Sequence, residues 1–171
     1  PELGTFKHSS PPEITHVAEY FREDLIKNED VISIANDPGI IKIVADFLGR
    51  KPTISNITAW WSYKGRKKAK EAQNFHRDND DFKFVKLFIY LTDVDEDSGP
   101  HVYVKGTSNS SKLRKIKRYD DKTIEDTFGK ENIIKFIAPK GTTFLADTYG
   151  FHKGLLPFSK DRLLLQIQYS L

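Results

Sequence analysis

The stretch from Phe82 to Leu91, FKFVKLFIYL, constrains the fold of this chain more than any other. Val85, Leu87, Ile89 and Leu91 alternate onto one face, and Phe82, Phe84, Phe88 and Tyr90 onto the other. A strand that is apolar on both faces has to be covered on both, as in a sandwich or a filled barrel. Lys86 alone interrupts the aromatic face. An ammonium group is too costly to bury unpaired, so Lys86 either reaches the rim or meets an anion in the interior.

Other short runs share this texture: Ile54 to Tyr63, His101 to Val104, Ile133 to Ile137, Thr142 to Ala146, Phe151 to Leu155 and Arg162 to Tyr169. Counting an extended stretch around His76, they make roughly eight strands separated by turns, and two sheets with jelly-roll topology accommodate them. The 171 residues, 38% of them apolar, suffice for one core. A single domain is therefore expected over 1–171, with a tail at 1–12, a helical flank at 13–50 and the jelly-roll core at 53–171.

The flank is read from periodicity. Ile14, Val17, Ala18, Phe21 and Leu25 form one helical stripe. A second helix starts at Asp37-Pro38 and stops at Gly49, with N-cap, first-turn proline and C-terminal glycine all present. Both are expected to cover a sheet and carry no chemistry. His8 falls in the tail as a solvated bystander, and His16 lies off the stripe with no ligand partner.

The chemistry concentrates in Asn74-Phe75-His76-Arg77-Asp78-Asn79-Asp80. In extended chain, residues i and i+2 share a face, so His76 and Asp78 point into one cavity. Gly150-Phe151-His152-Lys153-Gly154 offers a distant second imidazole. Two His and one carboxylate with open positions form the facial triad of non-haem Fe(II) sites. With no Cys in the chain, any metal must be held by His and carboxylates. His101 is a rival ligand, although no carboxylate lies two residues from it and Pro100 precedes it. Arg162 stands ten residues beyond His152. It shares a strand face with Leu164, Gln166 and Gln168, a polar side where a guanidinium needs a planar anion.

These residues resemble a family. His76-x-Asp78, His152 and Arg162 in that order, with Leu91-Thr92-Asp93-Val94 and Ser98-Gly99-Pro100-His101, look like the Fe(II)- and 2-oxoglutarate-dependent dioxygenases of the phytanoyl-CoA dioxygenase branch, over about Asp37 to the end. The resemblance implies a double-stranded β-helix, with Fe(II) on His76, Asp78 and His152. It implies 2-oxoglutarate on Arg162, with Tyr90 beside it, and O2 as oxidant. It also implies hydroxylation of a small organic substrate with release of succinate and CO2. Halogenases of similar fold have a small residue where this chain has Asp78, so hydroxylation is favoured. The chain departs from the family at Lys105-Gly106-Thr107-Ser108-Asn109, where many members have a Gly-Ser-His turn.

Charge leaves the partner open. There are 27 Lys and Arg against 24 Asp and Glu, a net +3, which falls short of a nucleic-acid binder's signature. Two stretches are locally basic: Lys64 to Lys70, with five cations in seven residues, and Lys105 to Lys122. The first reads as a solvated loop or as a clamp for an anionic substrate such as a phosphate or coenzyme A ester, the second as a long irregular loop that is disordered or forms a lid over a site. The rival functions are an oxidative nucleic-acid demethylase, which would lack the second arginine after Arg162 that dealkylating relatives carry, and a metal-free jelly-roll binding module. No apolar run approaches the ~20 residues of a membrane helix, so no membrane partner is expected and the cytoplasm is the expected compartment.

Overall fold

The computed structural model describes residues 4–171. Eight strands form two antiparallel sheets: β1 (Val17–Glu19), β2 (Thr53–Ser62), β3 (Phe84–Tyr90), β4 (His101–Val104), β5 (Ile133–Phe136), β6 (Thr143–Ala146), β7 (His152–Gly154) and β8 (Arg162–Ser170). The larger sheet runs β1-β2-β8-β3-β6 and the smaller β5-β4-β7. Helices α1 (Arg22–Lys27), α2 (Glu29–Ala35) and α3 (Pro38–Leu48) precede the core, and α4 (Asp121–Phe128) lies between β4 and β5. Among the described residues no helix is long and apolar enough to cross a membrane.

β3 sits between β8 and β6, and all seven of its residues are buried. Its outward face, Val85, Leu87 and Ile89, joins Leu165, Ile167 and Tyr169 of β8 under Leu25, Ala35, Val44 and Leu48 of the helices. Fully burying each Leu or Val is worth about 1.5–3 kcal/mol. The inward face, Phe88 and Tyr90 with Leu164 and Ala146, packs on Phe136 of the smaller sheet. The two sheets thus face each other as a jelly roll, and the double covering demanded by FKFVKLFIYL is met. Phe82 and Leu91 are the exceptions, 92% and 43% exposed: they flank the strand, which begins only where Phe84 finds Ser170 across the ladder.

α3 forms as its boundary residues dictate. The Asp37 side chain accepts from Ile40 N at 3.0 Å, Pro38 opens the first turn, and Gly49 closes the helix with φ 84°. The helix expected along Ile14 to Leu25 does not form. Val17–Glu19 pairs with the end of β2, placing Ala18 opposite Trp61, and helix starts only at Arg22. Ile14, Val17 and Phe21 are exposed. The stripe was a coincidence of spacing, and an unpaired edge of β2 outcompeted local propensity. α2 lies beyond that stripe, capped by Asn28 on Val31 N. The basic stretch at 105–122 is mostly irregular, but it ends in α4, whose single buried residue, Ile124, left little periodicity to read.

The first three residues of the tail lie outside the described residues. The rest is not a free connector: His8 lies with its ring 3.8 Å from that of Trp61 and its Nε2 3.2 Å from Asp161. Trp61 therefore faces the tail, while Trp60 joins the inner apolar cluster.

Candidate active site

His76 and His152 meet as an isolated antiparallel bridge, each backbone N–H donating to the other's carbonyl at 3.0 Å. The expected strand around His76 is thus only a bridge with extended flanks. Asp78 N donates to Thr148 O at 2.9 Å, which keeps the chain extended across the two-residue step. His76 and Asp78 accordingly do point the same way, and His152 joins them: one ligand atom from each lies within 4.8 Å of the others. Both histidines are buried.

Each imidazole is oriented alike. Nδ1 of His76 lies 2.9 Å from Asn74 O, and Nδ1 of His152 lies 3.0 Å from Gly150 O, the carbonyl two residues back in both cases. A carbonyl only accepts, so Nδ1 carries the proton and the Nε2 lone pair is turned inward. Those nitrogens stand 3.5 Å from Asp78 Oδ1 and 3.4 Å from Asp78 Oδ2 respectively. Charge-assisted hydrogen bonds are about 2.7–2.9 Å, whereas donor atoms sharing one ion at ~2.1 Å stand roughly 3–4 Å apart. The donor set therefore fits a divalent cation. Burial pushes the His76 imidazole below its usual pKa, with the nearby Asp78 opposing, so the neutral ligand form is favoured. Burial would push Asp78 up, but contacts with His152 and His76 and the Lys86 charge outweigh it and hold the carboxyl far below the usual range.

His101 is not part of this group. It lies in β4 beside Gly154 and stacks on His152, ring centres 5.6 Å apart, within a box of Phe88, Phe136 and Phe144. Burial and the neighbouring His152 and Arg162 hold its imidazole well below the ordinary pKa. Its Nε2 has no hydrogen-bond partner. His16 likewise stands outside the cluster.

Arg162 opens β8 on the inner face and is 4% exposed. Nη1 donates to Gly99 O and Nη2 to Ser62 Oγ at 3.3 Å, while Nε has no partner. Among the described residues no carboxylate pairs with it. Asp161 is engaged by Lys64 N and His8, and Asp147 by Tyr149 N. Burial without an anion lowers the guanidinium pKa to about 10. Gly154 makes room for this side chain. A Cβ on Gly154 would meet Arg162 Nη2 at 3.0 Å, and Gly154 lies two residues from His152 on the same strand face. Gly99, at φ 70°, could not carry a Cβ without striking Leu155 O and Pro157.

Tyr90 is on the same inner face, but its hydroxyl is committed: it donates to Phe136 O at 2.8 Å and accepts from His101 N at 3.1 Å, tying the two sheets together. The ring is what remains for a ligand. Tyr90→Phe is expected to lose both of the hydroxyl's hydrogen bonds between the sheets and to cost about 1–3 kcal/mol. Denaturant unfolding should show that loss, with 2-oxoglutarate affinity unchanged; a weakened affinity instead would make the hydroxyl a ligand contact.

Sequence reading missed Arg77. It alternates away from its neighbours, donates to Thr107 O and Tyr149 O at 2.7 Å each, and lies 4.2 Å over the Phe151 ring. It clamps the loops flanking the ligands. A cavity of about 1030 Å³ is lined by His76, Asp78, Asp80 and Asp81 together with Arg114, Lys115, Lys117 and Arg118. The first basic stretch does not line it. Arg66 instead donates to Thr15 O at 2.7 Å.

Comparison with known proteins agrees with this architecture. Among solved structures, HygX from Streptomyces hygroscopicus, with nickel, 2-oxoglutarate and hygromycin B bound, matches with TM-score 0.66 and 16% identity, over 94% of this chain and 72% of that one. The non-haem α-ketoglutarate-dependent carbocyclase SnoK from nogalamycin biosynthesis matches with TM-score 0.62 and 14% identity, over 90% and 62%. The epimerase SnoN of the same biosynthesis matches with TM-score 0.55 and 14% identity, over 91% and 61%. Among curated protein sequences none matches. These likenesses define the fold. The phytanoyl-CoA dioxygenase (PhyH) family profile matches residues 7–156, and the chain belongs to that family.

Proposed function

We propose that this chain is an Fe(II)- and 2-oxoglutarate-dependent oxygenase that hydroxylates a small organic substrate, with His76, Asp78 and His152 holding the iron and Arg162 the far carboxylate of 2-oxoglutarate. One observation carries the reading: Arg162 is a buried guanidinium with an unpartnered Nε and no carboxylate in reach. A cation so placed needs an anion from outside. It faces Gly154, two residues from a member of the His/Asp group, so the anion it takes lies beside that group.

When bound, iron and 2-oxoglutarate together supply O2 activation coupled to decarboxylation, which yields succinate, CO2 and an oxidised C–H bond. The protein supplies geometry. The Asn74 and Gly150 carbonyls fix the two imidazole tautomers, burial favours the neutral form of His76, and Asp78 stays ionised. The Phe88, Phe136 and Phe144 box keeps water from the inner end of the site. Asp78, a carboxylate rather than a small residue, favours hydroxylation, although a carbocyclase and an epimerase are also similar to this chain in fold.

The test is anaerobic addition of Fe(II) and then 2-oxoglutarate to the purified chain. The weak visible charge-transfer band of a chelated 2-oxo acid is expected. Its absence would leave a metal-free binding module.

The substrate of this reading carries an anionic group. Arg114, Lys115 and Lys117 line the cavity with no ion-pair partner among the described residues, while Asp80, which also lines it, is engaged by Lys86. Reversing two of these charges, Arg114→Glu with Lys117→Glu, is expected to raise KM about tenfold for anionic substrates and to leave substrate-free succinate release unchanged. A panel of phosphorylated, acyl-CoA and neutral compounds, scored by stimulated succinate release, checks this. An unshifted KM removes the anionic assignment.

A further inference from the structure

We infer that Lys86 is a positioning residue that restricts Asp78 to one coordinating oxygen. The inference rests on His76, Asp78 and His152 being the iron ligands. Lys86 is 6% exposed in the middle of β3, between Gln168 and Ala146 on the flanking strands. Of the two readings its place in FKFVKLFIYL allowed, the rim is excluded. Its Nζ lies 2.7 Å from Asp78 Oδ2 and 2.6 Å from Asp80 Oδ2.

The two carboxylates are not equivalent. The Asp80 side chain is 44% exposed and the Asp78 side chain 15%. Two carboxylates meet one ammonium, so a net negative charge remains for a metal. What Lys86 gives Asp78 is direction. Each oxygen stands near one ligand nitrogen, Oδ1 3.5 Å from His76 Nε2 and Oδ2 3.4 Å from His152 Nε2, but only Oδ2 is also engaged by a short charge-assisted hydrogen bond, the one from Lys86.

A carboxylate can bind a cation through one oxygen or two. With Oδ2 held by Lys86, Oδ1 is the free donor. That limit matters for function: two imidazoles and one oxygen leave an octahedral ion three positions, the number a chelating 2-oxo acid and O2 together require. A second oxygen from Asp78 would take one of them. An ordinary structural salt bridge would show no such consequence.

Lys86→Met in the full chain separates the two roles, since replacing a buried charge with an apolar side chain of similar length is often tolerated. Under anaerobic conditions Fe(II) affinity should hold or rise, because a neighbouring positive charge is gone and Oδ2 is freed. Affinity for 2-oxoglutarate, read from the visible band, should fall about tenfold. An unchanged 2-oxoglutarate affinity, or a parallel fall in both affinities, overturns the inference. If wild type itself gives no band, the oxygenase reading fails and the variant is not the cause. A crystal structure of wild type with Ni(II) and 2-oxoglutarate tests the point without any variant. It should show one Asp78 oxygen on the metal and the other on Lys86, and a bidentate Asp78 overturns the inference.

Discussion

Alanine at His76, Asp78 or His152 is expected to abolish stable Fe(II) binding, lowering affinity by more than about a hundredfold, and with it all succinate release. Loss of a second contact behind a metal ligand typically costs 10–100-fold, and loss of a ligand itself exceeds that. The fold should survive, because the reciprocal bridge between positions 76 and 152 is made by backbone groups. Asp78→Ala also leaves Lys86 paired with Asp80. His101→Ala is the control. It removes a buried imidazole 5.6 Å from His152, so it should loosen the aromatic box and lower stability while iron still binds. Anaerobic equilibrium dialysis against Fe(II), with thermal unfolding of each apo variant, decides the matter. If iron is lost in His101→Ala and retained in His152→Ala, the distal ligand has been misassigned.

The parts of this architecture that were legible in the sequence are those set by near neighbours. The α3 boundaries follow from Asp37, Pro38 and Gly49, whose effects act within one helical turn. The two covered faces of β3 follow from strict alternation, and the aim of His76 and Asp78 follows from the two-residue step of extended chain. Contacts between distant segments were not legible. Nothing in the run Ile14 to Leu25 says that Ala18 will pair with Trp61 rather than continue a helix. Lys86 was recognisable as an anomaly, but its partners Asp78 and Asp80 depend on how the preceding loop folds back over β3. Gly154 carried no local signal for its role, since the reason it lacks a Cβ is the guanidinium of Arg162 arriving from the next strand in sequence. Tyr90 shows a different limit. Its face was foreseeable, but its hydroxyl was claimed by the opposite sheet, and hydroxyl partners leave no periodicity to read.

Arg162→Leu is expected to weaken 2-oxoglutarate binding roughly ten- to hundredfold while iron remains bound. The lost contact is a charge-assisted pair, worth about 1.5–3 kcal/mol for hydrogen bonds to charged groups. In the absence of ligand, the same substitution removes a buried cation that no carboxylate neutralises, and with it the donors to Gly99 O and Ser62 Oγ. These changes oppose each other, so apo stability should move little. Had Arg162 been paired with Asp161 or Asp147, the substitution would instead have left a carboxylate unpaired and lowered stability. The ligand's effect on unfolding separates the cases. At a concentration of 100 Kd, a ligand that binds only the native state stabilises by about 2.7 kcal/mol. A hundredfold loss of affinity reduces that, at the same concentration, to about 0.4 kcal/mol. Arg162→Lys should recover part of the difference, because it restores the charge but not the planar fork that reaches Gly99 O, Ser62 Oγ and an anion together. Thermal unfolding of the iron-loaded proteins with and without 2-oxoglutarate, beside the 2-oxoglutarate concentration for half-maximal succinate release, measures both. If both quantities match wild type in Arg162→Leu, the cosubstrate is held elsewhere, and Arg162 only joins the start of β8 to the Gly99 turn.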